Sequence, residues 1–87
     1  MANSKTNFEM EVVNLVKEKR IEKGFSQDDI ALFLDLSRGF VGQIESPNSP
    51  SKYNLNHLNK LAYEMKCSPK DFIPKEPISN KKLKTKK

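Results

Sequence analysis

The chain has 87 residues, an apolar content of 36% and a formal net charge of +5. That length allows one small domain with a modest core, and the low apolar content implies that part of the chain lies outside it. No apolar run approaches the roughly 18 residues of a membrane span, and one cysteine, Cys67, excludes both an internal disulfide and a Cys-rich zinc site.

Residues 1–6 are polar and are expected to be disordered; they lead into no hydrophobic segment with a small-residue cleavage site, so no secretory signal is expected and a cytoplasmic location follows. The first helix is expected from about Asn7 to Lys23, where Phe8, Val12, Leu15 and Val16 recur at helical spacing and Gly24 stops it. Ser26 opens a second helix, with Asp29 three residues on in a capping-box-like arrangement, and this helix ends near Leu34. Ser37 caps a third that runs to Glu45 or Ser46. Pro47-Asn48-Ser49-Pro50-Ser51 is a breaker cluster and forms a loop. A fourth helix starts near Asn54 and places Leu55, Leu58, Leu61, Ala62 and Met65 on one face. Ser68-Pro69 is an N-cap followed by proline at the first helical position; it starts a short fifth helix with Phe72 and Ile73. Cys67, near a helix end, reads as a packed small residue. Pro74 and Pro77 close the domain, and no period-2 strand pattern or internal repeat is present. The expected architecture is all-α: five short helices over residues 7–74, followed by a flexible Lys-rich tail over 75–87.

Between Gln27 and Glu45 the spacing is specific. Counting Gln27 as the first position, apolar residues fall fourth (Ile30), eighth (Leu34), tenth (Leu36), fifteenth (Val41) and eighteenth (Ile44). Ala31 supplies a small side chain where a second helix would cross, and Asp35 tolerates the left-handed conformation that a tight turn demands. Two helices crossing through a 3–4-residue turn need this pattern, that of a helix-turn-helix.

These residues resemble the phage repressor and Cro-like helix-turn-helix domains (the Xre family) over roughly residues 12–73. The resemblance is carried by residues 17–27, by Asp29-Ile30-Ala31 at a Glu-Leu-Ala signature, by Phe40-Val41-Gly42-Gln43-Ile44-Glu45, and by Leu58, Leu61-Ala62 and Ser68-Pro69-Lys70-Asp71-Phe72. It implies a lambda-repressor-like fold, Gln27 on a phosphate, and Ser37, Arg38, Gly39 and Gln43 facing the major groove. It also implies an ion pair between Arg20 and Glu45. The chain departs from the family pattern at Ser46-Pro47 and in a longer loop over 46–54, whose phosphate contacts do not carry over.

The third helix also has base-reading chemistry of its own. Arg pairs bidentately with guanine and Gln with adenine, which makes Arg38 and Gln43 the readers. Gly39 and Gly42 each cost about 0.8–1 kcal/mol in a helix relative to Ala; either a close approach of DNA or another helix needs them, or they are drift at solvent positions. Phe40 either touches a thymine methyl or sugar-phosphate edge, or fills a core edge. Lys52 is the other cation of segment 26–53 and joins the DNA-contacting set, although Asp28, Asp29, Asp35 and Glu45 leave that segment net negative. The excess positive charge lies in residues 75–87, where six lysines face Glu76 alone. That tail serves either as a sequence-independent phosphate contact or as a solubilising segment.

No glycine-rich phosphate loop, nucleophile elbow or metal-ligand cluster is present, and His57 reads as an exposed helical residue. Neither an enzyme nor a cofactor is expected. The expected function is sequence-specific binding of duplex DNA by a repressor-type transcriptional regulator acting as a homodimer. The alternatives are an antitoxin that neutralises a protein partner and a nonspecific nucleic-acid-associated protein.

Overall fold

Each α-helix begins at a side chain that satisfies its first free amides. In the computed structural model, which describes residues 4–79, α1 spans Asn7–Glu22. Thr6 Oγ1 accepts from the Glu9 amide at 3.1 Å, and the Thr6 amide donates to Glu9 Oε1 at 2.9 Å. Ser26 and Asp29 make the same reciprocal pair at the start of α2, Gln27–Leu34, at 3.1 and 2.8 Å. Ser37 Oγ accepts from the Phe40 amide at 3.0 Å and opens α3, Arg38–Glu45. Asn54 and His57 cap α4, Leu55–Met65. These bounds lie within about a residue of those expected from the sequence.

The expected fifth helix is corrected: Pro69–Phe72 form a single 3-10 turn behind the Ser68 cap. Ile73 is already extended and Pro74 follows, so no residue remains to close a second turn. The described residues therefore hold four α-helices, this 3-10 turn and no strand.

Two helices stop on left-handed residues that are not glycine. Asp35 ends α2 at φ 59°, ψ 45°, and Lys66 ends α4 at φ 57°, ψ 52°. In each case the next amide reaches back to a carbonyl in the last turn, Leu36 to Ala31 at 2.9 Å and Cys67 to Ala62 at 3.0 Å.

The core collects Val12, Val13 and Val16 from α1, Ile30 and Ala31 from α2, Val41 and Ile44 from α3, and Leu58, Leu61, Ala62 and Met65 from α4. Phe72, fully buried on the 3-10 turn, closes it where the turn packs against α1 and α4. α2 packs on α3 and α4, with buried Ala31 among the core residues of α2. Removing apolar side chains of this size from water contributes about 1.5–3 kcal/mol each, the main term holding so small a body together. Leu55 is the exception to the expected apolar face of α4: it points outward and is 80% exposed. It is the first residue of the helix, and core residues lie on both sides of it in the chain, Tyr53 before and Leu58 after.

The chain ends also depart from expectation. Of residues 1–6, expected to be disordered, 1–3 lie outside the described residues, while Lys5 is buried and its Nζ donates to Ser46 O at 2.8 Å and Ser49 O at 2.6 Å. It thereby caps the C-terminus of α3 and braces the 46–51 loop. Desolvation lowers the Lys5 pKa against the raising influence of Glu9. At the other end, half-buried Ile78 lines one open depression with Glu11 and Leu15 of α1, and Asn7 Nδ2 donates to Ser79 O at 3.2 Å. The rest of the expected flexible tail, with Leu83 and five of its lysines, lies outside the described residues.

Candidate nucleic-acid interface

The end of α3 is fixed by a buried charge network. Arg20 Nε donates to Glu45 Oε2 at 2.9 Å and a terminal nitrogen of the same guanidinium donates to Oε1 at 3.1 Å. Its remaining nitrogen donates to Phe25 O at 3.0 Å. The pair is 12% and 5% exposed, so the fork-to-fork geometry works in a poorly hydrated setting. The expected Arg20–Glu45 link is present. It ties the end of α1, the turn before α2 and the end of α3 to one carboxylate.

Gln27 belongs to the same network. Its Nε2 donates to Glu45 Oε1 at 2.9 Å, so one of the side-chain amide's two N–H groups is engaged within the network. The first turn of α2 otherwise carries Asp28 and Asp29, and Asp29 is engaged by its cap. The signal that could have revealed this was the surplus of acceptors on Glu45: two carboxylate oxygens take more donors than one guanidinium fork supplies.

Ser37 is spent on its cap, while Arg38, Gly39 and Gln43 lie exposed on one side of α3. Phe40 stands at the edge of this surface, 37% exposed. The Arg38 Nε sits 3.5 Å from Asp28 Oδ1, with both side chains largely in solvent. Such a pair is worth less than about 1 kcal/mol, so it orients Arg38 without locking it. The glycines answer a packing question directly. A Cβ at Gly39 would meet nothing within 4 Å, and one at Gly42 would meet only Gln27 Oε1 at an ordinary 3.8 Å. Packing among the described residues requires neither of them.

Lys52 does not join this surface through any contact. Its Nζ lies 2.6 Å from Glu9 Oε2, at the start of α1. The bond to Lys52, followed by the Thr6 backbone, holds the Glu9 carboxyl below its usual range.

His57, expected to be an exposed helical residue, is half-buried, and its Nδ1 accepts the Asn54 amide at 3.1 Å as the closing half of the α4 cap. Desolvation lowers its pKa. Its ring meets buried Tyr53 edge-on at 6.1 Å. The Tyr53 hydroxyl has no hydrogen-bond partner among the described residues, and burial together with the Glu45 charge drives its pKa upward. Burial likewise pushes the Cys67 thiol up, as suits a packed side chain. Among the described residues no helix is long and apolar enough to cross a membrane, and no group of three or more His, Cys, Asp or Glu side chains is arranged to hold a metal ion. No family model, curated protein or solved structure matches the chain.

Proposed function

We propose that the protein is a sequence-specific duplex-DNA-binding regulator of repressor type, cytoplasmic and dimeric, in which α2 and α3 act as a helix-turn-helix and α3 reads bases in the major groove. The observation that carries this is the exposed side of α3. It joins Arg38 and Gln43 to two glycines that no packing contact explains, on a helix whose far end is pinned by Arg20, Gln27 and Glu45. A rigid, locally smooth helix with a guanine-reading and an adenine-reading side chain suits direct readout. The Ala31 crossing and the left-handed Asp35 turn support the helix-turn-helix arrangement. In this proposal the protein is a binding module and not an enzyme.

Selection of bound sites from random duplex DNA tests it and should return a preferred half-site repeated at a fixed spacing. On that site Arg38→Ala and Gln43→Ala should each lose about 1–3 kcal/mol, with a smaller loss on random DNA. Equal losses on both DNAs would remove α3 as the reader.

A second reading, an antitoxin that holds a protein partner, is favoured by one observation: segment 26–53 is net negative, and Asp28 stands exposed beside Arg38. Co-purification of a stoichiometric basic partner, with no DNA preference, would select it.

A further inference from the structure

One apolar depression on the described surface lies away from α3. Its floor and walls are Phe8 and Val12 of α1, Tyr53 before α4, Leu58 of α4, and two residues that stand out at its mouth, Leu55 (80% exposed) and Ile73 (39% exposed). The cleft encloses about 510 Å³. That volume would accept a small molecule, but a ligand site also needs convergent polar groups that fix orientation. Here Glu9 is engaged with Thr6 and Lys52, Lys52 with Glu9, and Asn54 with His57; the buried Tyr53 hydroxyl alone has no partner among the described residues, and one group does not make a convergent set. An open apolar trough with outward-pointing leucine and isoleucine at its rim is instead the form of a surface that meets another protein.

The charges identify that protein. The rim carries one acid and one base side by side, Glu9 and Lys52, 2.6 Å apart. A patch with an apolar centre and one charge of each sign can complement itself: a two-fold axis that runs through the centre and between the two side chains brings Glu9 of each copy toward Lys52 of the other. We infer that this cleft is the homodimer interface, with Leu55 of each copy seated in the trough of its partner and the Glu9–Lys52 pairs exchanged across the seam. Lys52 then serves subunit pairing, not phosphate contact, and the exposed side of α3 stays free. The inference rests on the dimeric part of the proposed function. A measurement of oligomeric state without DNA separates this inference from the DNA reading, because a dimer indifferent to DNA would sink only the regulator, whereas a DNA-binding monomer would sink the interface and the dimeric part of the proposal and leave base reading by α3 standing.

Sedimentation of the full chain across a concentration series should show a reversible dimer. Leu55→Asp should weaken it at least tenfold, whereas Tyr63→Asp, at an equally exposed position on the same helix, should leave it unchanged. Glu9→Lys and Lys52→Glu should each be monomeric, with folding checked by circular dichroism because Glu9 also caps α1. Their equimolar mixture should form a heterodimer, since both seams are then opposite in charge. A wild-type monomer at all concentrations, a dimer indifferent to Leu55→Asp, or a mixture that stays monomeric would each overturn the assignment. So would a chain that dimerises only after truncation beyond Ser79, because its own C-terminal segment would then be the occupant.

Discussion

Glu45 accepts from two side chains on two different helices while almost wholly out of water. Removing one member of such a pair leaves a buried charge uncompensated, which costs about 3–5 kcal/mol, far above the worth of an exposed pair. Glu45→Gln and Arg20→Met should therefore each melt well below wild type, and the double variant should lose much less than the sum. Additive losses in that double-mutant cycle would show the two side chains to be uncoupled. His57 makes a different prediction. Its cap needs an unprotonated Nδ1, and burial lowers its pKa. The unfolded chain thus takes up the proton first, near pH 6.5. The stability from this residue is complete above that pH and is lost as the pH falls through the lower folded value. Melts between pH 7.5 and 5.5 should show a downward step, and His57→Gln, which keeps an N3 acceptor, should abolish it. The chain has one histidine, so no second imidazole can produce the step. At this scale legibility was uneven. The Arg20–Glu45 pair followed from family resemblance. Lys5 did not: a lysine in a polar stretch looks solvated, and its carbonyl acceptors lie 41 and 44 residues away.

α3 is a helix working against its own composition. Two glycines in eight residues lower its intrinsic stability, and the Ser37 cap, the Lys5 ammonium and the Glu45 network hold it at both ends. Gly39→Ala and Gly42→Ala should each stabilise the fold by about 0.8–1 kcal/mol, since both positions have room for a methyl group. If DNA approaches the backbone there, the same variants should bind it more weakly; a more stable protein with unchanged binding would make the glycines drift. Helix positions were legible because caps and apolar periodicity agree at each start. The 3-10 turn was misread because Ser68-Pro69 signals a helix start whether one turn follows or several. Leu55 was misread because helical spacing assigns a face but cannot say which positions on that face another element covers.

On the scale of the whole molecule the excess positive charge separates from the described body. Lys81, Lys82, Lys84, Lys86 and Lys87 all follow Ser79. Each phosphate neutralised on duplex DNA contributes about −0.9 to the slope of log affinity against log salt. Truncation after Ser79 should flatten that slope by as much as about 4.5 and weaken all sequences alike, with the melting temperature unchanged. Truncation after Pro74 should additionally lower the melting temperature, because it removes half-buried Ile78 and the Ser79 carbonyl that Asn7 holds. A shorter protein that keeps its slope would make the lysines bystanders. That the body continues to residue 79 was not legible, since Pro74 and Pro77 read as an exit and one isoleucine carries no periodicity.

The Asn7–Ser79 contact also bears on the order of folding. It joins residues 72 apart in sequence, and closing so long a loop from an open chain costs about 4 kcal/mol of entropy or more. Once Phe72 has docked between α1 and α4, only a few residues separate it from Ser79 and most of that cost has already been met. The terminal segment is then the last piece to dock and the first to leave, its contacts absent from the folding transition state. The chain truncated after Pro74 should fold at the wild-type rate and unfold faster, so that one arm of its chevron moves while the other stays in place.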